Sequence, residues 1–340
     1  MRFLSLLVLL LFLGIGVSSI TAGADKAALF VPSPTLSDAK WHLSGHHIGV
    51  NPKKAWRQLK RLGRPGGQEV IVAVVDTGVN DSEAFRPGTI IGGWNYVDNS
   101  SSIDDTDGHG TFVAGLIAGT EGVAYGANIM PIQVMDGRGH GEVIDIADGI
   151  MYAADHKADI INLSLEMDLG TEPQDLLDVS EAVRYAHQRG VLVVAAAGNH
   201  NSSQLPLPAA SIDVLSVGAT TAGGCRAAYS SRGPELDLMA PGGGLPEDGC
   251  PSAASESLYQ LTAGAEEGSL PNMSGTSAAA PLVSGVAALL IASGRLGADP
   301  SPAAIQKRLQ GTAYRPAGVG PNSSHGYGLV DASAALSSRR

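Results

Sequence analysis

Strand-length apolar runs recur along the middle of this chain, and stretches with helical spacing separate them. Continuous apolar runs are typical of central parallel strands covered on both faces, whereas a half-exposed strand alternates apolar and polar positions. Five such runs predict strands: Val70–Val75, Ile129–Met135, Ile160–Leu165, Val191–Ala197 and Val214–Val217.

The segments between these runs predict helices. Apolar residues lie at helical spacing in Glu142–His156 and Leu176–Gln188, and Asn51 with Pro52 indicates a further helix start. Strands that alternate with helices over short connections predict an α/β fold with three layers, in which helices cover both faces of a mostly parallel central sheet. The chain shows no internal repeat and no second domain.

The first 24 residues differ from this pattern and resemble an export signal. Arg2 supplies a positive charge, Phe3–Val17 is an uncharged Leu-rich run, and Ala22–Ala24 is a small-x-small cleavage site. We therefore expect a signal peptide at 1–24, an N-terminal arm or short pro-segment at 25–44, and one large domain at 45–340. The expected location is secreted or periplasmic. The alternative is an uncleaved membrane anchor, because Phe3–Ile20 approaches spanning length.

Charge narrows the range of partners. The 340 residues include 33 acidic and 22 basic side chains, so the formal net charge is −11. Because an acidic domain repels a phosphate backbone, we do not expect nucleic acid as a general partner.

The chain has two cysteines, Cys225 and Cys250. An even number in an exported protein permits one disulfide, which would close a loop of about 25 residues. Neither cysteine has a His or further Cys nearby at ligand spacing, so a metal site is not expected there.

Four polar residues stand at predicted element boundaries. Asp76 follows the first strand, at the edge where open α/β sheets place their sites. His109 lies between two glycines that leave its ring uncovered, ahead of an apolar helix. Ser277 opens another helix, whose N–H groups and dipole favour negative charge. Asn199 follows the predicted strand Val191–Ala197, and its side-chain amide can serve as a second donor to an oxyanion.

These segments, in the order Asp, His, Asn, Ser, resemble those of the subtilisin-like serine proteases, the subtilases. The similarity extends from about Trp41 to Leu336. The resemblance implies a secreted, monomeric serine endopeptidase that acts on polypeptides through an acyl-enzyme intermediate. Asp76, His109 and Ser277 would form its catalytic triad, and Asn199 with the Ser277 N–H would form its oxyanion hole.

The resemblance also indicates where substrate binds. It implies that Ser164, Leu165, Ala197 and Gly198 line the cleft, where a substrate peptide would pair as an added strand. Glu166 occupies a position at which the family usually has Gly. Two interpretations remain open: its carboxylate favours basic substrate side chains, or it points to solvent.

The sequence departs from the family in two further respects. The stretch at 118–126 is shorter than the calcium-binding loop of many bacterial members, so no metal or other cofactor is expected. The alternative is a Ca²⁺ ion held by the acidic cluster that precedes His109, namely Asp98, Asp104, Asp105 and Asp107. The short segment at 25–44 also predicts that no globular pro-domain is needed for folding.

Two other functions use the same residues. An acyl hydrolase or esterase can employ this triad, since triads recur on unrelated folds. However, Gly275–Ala279 lacks the second glycine of the Gly-x-Ser-x-Gly elbow. A non-catalytic peptide-binding relative would normally have lost a triad member, and all three are present.

Overall fold

The structure, a computed structural model, describes residues 38–45, 47–167, 171–250, 256–259, 272–315 and 320–338. The expected signal peptide and the first part of the expected arm lie outside these residues. The described end of the arm contains a short 3-10 helix, Asp38–Leu43. Trp41 in this helix is buried, and its indole N–H donates to the Ser257 carbonyl at 3.2 Å.

A seven-stranded parallel sheet forms the centre of the fold, in the order β2-β3-β1-β4-β5-β6-β7. A separate antiparallel pair, β8-β9, lies outside it. The strands are β1 (Ile71–Asp76), β2 (Trp94–Asn95), β3 (Asn128–Gln133), β4 (Ile160–Leu163), β5 (Leu192–Ala196), β6 (Val214–Thr220), β7 (Leu238–Pro241), β8 (Leu258–Tyr259) and β9 (Asn272–Met273).

Helices connect β2 to β3, β3 to β4 and β4 to β5, whereas β5, β6 and β7 follow one another without a helix. The helices are α1 (Lys53–Arg61), α2 (His109–Ala118), α3 (Val143–Asp155), α4 (Pro173–Gln188), α5 (Thr276–Ala292), α6 (Pro302–Thr312) and α7 (Ala332–Ala335). None of these described helices combines the length and apolarity that a bilayer crossing requires.

Successive residues of the central strand face opposite layers. Val72 and Val74 pack into a core with α1, α2, α5 and α6. Ala73 and Val75 pack into a second core with α3 and α4. Because both faces are covered, the strands carry continuous apolar runs, and the predicted three-layer α/β fold is confirmed.

The five predicted strands are present, with ends that shift by at most three residues. Strands β2, β7, β8 and β9 and helices α6 and α7 were not predicted. The strands and α7 have only two to four residues, too few for a periodic pattern, whereas α6 has 11 residues. At α1, Pro52 rather than Asn51 is the N-cap residue, and the Asn51 amide instead donates to Asp331 at 3.0 Å.

The expected disulfide is confirmed. Cys225 and Cys250 are bonded across 25 positions of the chain, with Cα atoms 6.1 Å apart. The bridge closes the segment that contains β7, so it limits the freedom of this segment in the unfolded chain.

We expect replacement of both cysteines by serine to lower the free energy of unfolding by about 3 kcal/mol, since the unfolded chain regains the entropy of an open loop. Guanidinium unfolding of the two proteins measures the difference, and the reduced wild type serves as the control because it should match the variant. Equal stability of oxidised wild type and double variant would contradict this expectation.

Candidate active site

A cleft of about 260 Å³ opens at the carboxyl edge of the sheet. The register of the strands explains why distant residues meet there: Val75 pairs with Leu163, and Leu163 pairs with Ala195. The residues that follow these positions therefore emerge together. Most of the predicted site residues line the cleft: His109, Ser164, Leu165, Glu166, Gly198, Asn199 and Ser277.

Asp76 lies behind this lining and contacts His109. It is the last residue of β1 and is fully buried. Its Oδ1 atom lies 2.7 Å from His109 Nδ1 and also accepts a hydrogen bond from the Thr77 N–H at 2.8 Å. With Nδ1 held by the carboxylate, the Nε2 atom of a neutral ring carries no proton.

The glycine after His109 permits this contact. A Cβ atom at Gly110 would lie 2.1 Å from the Gly78 carbonyl oxygen and 3.2 Å from the Asp76 Cβ. Any side chain at Gly110 would therefore push the start of α2 away from β1. The Gly110 N–H also donates to Thr77 Oγ1 at 2.9 Å, which ties the first turn of α2 to the strand end.

The pKa of His109 is raised from 6.5 to about 9, as the net result of burial and of neighbouring negative charge, which act in opposite directions. Burial lowers it, because the charged ring is removed from water. The charge and hydrogen bond of Asp76 outweigh burial, and the charges of Asp107 and Asp105 add to the increase. The ring is therefore held beside enough negative charge to stabilise its protonated form.

Asp105 organises the loop before α2. Its Oδ1 atom accepts hydrogen bonds from the Thr77 hydroxyl at 2.8 Å and from the Gly108 N–H at 2.8 Å. Its Oδ2 atom accepts from the N–H and the hydroxyl of Thr111 at 2.8 and 2.6 Å. Protein donors thus occupy both oxygens of the residue that we considered a calcium ligand.

The other three carboxylates of this cluster accept hydrogen bonds from neighbouring residues. Asp98 accepts from the Asn95 amide at 3.2 Å, and Asp104 accepts from the Ser102 hydroxyl at 2.7 Å. Asp107 accepts from the His109 N–H at 3.1 Å. Among the described residues, no group of three or more His, Cys, Asp or Glu side chains is arranged to hold a metal ion.

Ser277 lies in the first turn of α5, where backbone N–H groups have no intrahelical acceptor. The helix also contains Pro281, which lies in its second turn. Proline has no N–H, so the Ser277 carbonyl loses its usual donor four residues later. The Ser164 hydroxyl donates to that carbonyl at 2.9 Å instead.

Ser164 is itself held by buried partners. The Asn162 amide donates to Ser164 Oγ at 2.9 Å, and the Ser284 hydroxyl donates to Asn162 Oδ1 at 2.9 Å. This chain of bonds joins β4 to two turns of α5. It positions the backbone of Ser277 relative to the sheet edge.

The amide of Asn199 is oriented by Thr276. Asn199 Oδ1 accepts from the Thr276 N–H at 2.9 Å and from the Thr276 hydroxyl at 3.0 Å. No described residue accepts a hydrogen bond from Asn199 Nδ2, so the amide nitrogen is available in the cleft beside Ser277. Two donors, this amide and the Ser277 N–H, are therefore available to one oxyanion.

The predicted substrate-binding set needs one correction. Ala197 is fully buried in the core beside α3 and α4, and its N–H donates to the Val217 carbonyl at 2.9 Å. Ala196 lines the cleft instead. The reason is the alternation of extended chain, since neighbouring residues face opposite sides of the sheet.

Sequence reasoning also missed residues that hold the site together. Thr276 bonds to Asn199, Asn162 bonds to Ser164, and Ser284 bonds to Asn162. Thr276 carried a signal in the sequence, because it lies within the Gly-Thr-Ser motif. Asn162 and Ser284 are polar residues inside apolar runs, and burial made them identifiable.

Comparisons with known proteins agree with this geometry. Residues 67–328 match the subtilase family. Thermitase from Thermoactinomyces vulgaris is 34% identical over 75% of this chain and 84% of its own length. The thermophilic serine proteinase from Bacillus sp. (strain AK1) is 36% identical over 76% of this chain, but the match spans only 60% of that relative's length. Among solved structures, a lanthipeptide protease has a TM-score of 0.75 at 26% identity, and the match covers 89% of this chain and 95% of that one.

We expect NMR titration of the His109 ring to give a pKa of about 9 instead of 6.5. Replacement of Asp76 by Asn, which keeps the size and removes the charge, should bring this pKa down towards 6.5 or below, because burial is then opposed only by the charges of Asp107 and Asp105. A ring that titrates near 6.5 in both proteins would contradict the assigned role of Asp76.

The same shift predicts how stability depends on pH. Because the folded pKa exceeds the unfolded one, the stabilisation by this pair is fully present below pH 6.5 and is lost as pH rises through about 9. Unfolding measurements across this range should show the loss in the wild type but not in Asp76→Asn.

We expect chelation by EDTA to leave the melting temperature unchanged, since protein donors occupy the Asp105 oxygens. Differential scanning calorimetry before and after chelation checks this. A decrease that excess Ca²⁺ reverses would instead show that a calcium ion contributes to stability.

Proposed function

Because this chain belongs to the subtilase family, we propose that it is a secreted serine endopeptidase whose catalytic groups are Asp76, His109 and Ser277. The observation that carries the proposal is the 2.7 Å contact between Asp76 Oδ1 and His109 Nδ1, at a cleft that His109 and Ser277 both line. The family match confirms the resemblance that the motifs indicated.

In the acylation step, Ser277 Oγ attacks the scissile carbonyl carbon while its proton moves to His109 Nε2. The carbonyl electron pair shifts to the oxygen and forms a tetrahedral oxyanion. When the oxyanion collapses, the C–N bond breaks and His109 Nε2 returns the proton to the leaving amine. The product of this step is an acyl ester on Ser277.

Asp76 has two effects on this sequence. It fixes the ring so that, in the neutral form that predominates above the pKa of about 9, Nε2 carries no proton and can accept one from Ser277. Its charge stabilises the imidazolium that forms during attack. Burial of the Asp76 carboxylate keeps water away from it and strengthens both effects.

The oxyanion is held by the Ser277 N–H and by the Asn199 amide. Thr276 supports this role because it fixes the amide oxygen and leaves the nitrogen turned towards the cleft. Preorganised donors of this kind stabilise the transition state without rearranging as charge develops.

Deacylation repeats the sequence with water as the nucleophile. His109 takes a proton from the water, the hydroxyl oxygen bonds to the ester carbon, and the acid product leaves as Ser277 recovers its proton. Ser164 contributes indirectly, since its hydroxyl holds the Ser277 carbonyl in place.

Export is the further part of the proposal, and the N-terminal residues support it. The Arg2 charge, the Leu-rich run and the cleavage site at Ala22–Ala24 together form a secretion signal. The disulfide between Cys225 and Cys250 is also typical of proteins from oxidising compartments.

The test compares wild type with Ser277→Ala on casein and on small esters, before and after treatment with a fluorophosphonate. We expect the wild type to take the label and lose both activities. The variant should take no label and lose at least about a thousandfold in rate, because the nucleophile is absent.

Ser274→Ala is the matched control. Ser274 lies three residues before the nucleophile and donates to Ser257 outside the cleft, so this variant should still be labelled. Labelling with ester cleavage but no proteolysis would favour an acyl hydrolase, and an unlabelled wild type would contradict the assignment of Ser277.

A further inference from the structure

The two carboxylate oxygens of Glu166 have different surroundings. Glu166 lies three residues after the end of β4, and its side chain is 25% exposed at the cleft. Its Oε1 atom lies 3.0 Å from His200 Nε2. Its Oε2 atom is buried, and no described residue donates a hydrogen bond to it.

A buried carboxylate oxygen without a donor is unfavourable, because it has lost its hydrogen bonds to water and gained none within the protein. His200 does not correct this deficit: it contacts only the other oxygen, and its side chain is 74% exposed. Exposed ion pairs of this kind are weak because solvent screens them. The carboxylate therefore has no strong partner among the described residues, and its exposed part can receive one from outside the chain.

The position of Oε2 identifies which part of a substrate it faces. A Cβ atom built on Gly198 would lie 2.6 Å from Glu166 Oε2, so the carboxylate covers the bare backbone of Gly198. The next residue, Asn199, is the proposed oxyanion donor. In a bound peptide, we call the residue that contributes the scissile carbonyl the acyl-side residue. The carbonyl oxygen of this residue would lie at Asn199. The side chain of the acyl-side residue therefore starts within reach of Glu166.

The rest of the cleft, within the described part of the chain, has no Lys or Arg side chain that would repel a cation. Its charged lining there consists of Asp107, His109 and Glu166. The formal net charge of −11 adds a long-range attraction for basic peptides.

We propose that Glu166 makes this protease selective for substrates with Arg or Lys as the acyl-side residue. The Glu166 carboxylate accepts a hydrogen bond from the substrate's guanidinium or ammonium group, in place of its weak contact with the exposed His200. This inference rests on the proposed function, since it requires peptide cleavage at Ser277.

The test uses peptides that differ only at the acyl-side residue, in the pairs Arg with citrulline and Lys with norleucine. Citrulline keeps the shape of Arg and removes its charge. We expect the wild type to cleave the charged member of each pair at least about tenfold faster in kcat/KM, as charge-assisted hydrogen bonds are strong. Glu166→Gln should bring both ratios close to one.

The ratios are read within each protein, so a general loss of activity in a variant cancels. Glu166→Gly is the second variant and should also abolish the preference. Asp107→Asn is the matched control, because it removes another cleft carboxylate and should keep both ratios. Equal cleavage of Arg and citrulline peptides by the wild type would overturn the proposal, as would loss of the preference in Asp107→Asn alone.

Failure of this inference is distinguishable from failure of the proposed function. A wild type that takes the fluorophosphonate label and cleaves the neutral peptides as fast as the charged ones is a serine protease without this selectivity. A wild type that takes no label and cleaves none of the peptides contradicts the assignment of Ser277 itself.

Discussion

The contact between the buried Asp76 carboxylate and the His109 ring is the interaction on which the site depends. A carboxylate at the end of a central strand is shielded from water on both faces of the sheet, so it needs a charged or hydrogen-bonding partner. The ring supplies that partner, and Gly110 lets α2 approach β1 closely enough for the contact. The same burial that makes the carboxylate costly makes its influence on the ring strong.

A second constraint arises at α5, which contains the proposed nucleophile, Ser277. Pro281 removes one helical hydrogen bond, and the Ser277 carbonyl accepts a hydrogen bond instead from Ser164, which directly follows β4. A bond between distant parts of the chain thus replaces a local one. The position of Ser277 relative to His109 therefore depends on the packing of α5 against β4.

The predictions succeeded where a pattern had enough residues to be read. Long apolar runs located the central strands, and glycine-flanked polar residues located the candidate site. Ala197 shows the limit, because a one-residue error in an extended segment reverses the direction of the side chain. Asp105 shows another limit: its sequence neighbourhood left calcium open as an alternative, and the backbone and hydroxyl donors that occupy its two oxygens are visible only in the structure.

The amino-acid sequence alone determined the fold class, the order of the site residues and their places at strand and helix ends, because these follow from periodicity and local backbone chemistry. Tertiary structure decided which atoms meet. The raised pKa of His109, the orientation of the Asn199 amide and the buried oxygen of Glu166 all depend on neighbours distant in the chain. Burial and hydrogen bonding are properties of these long-range contacts, and no local pattern specifies them.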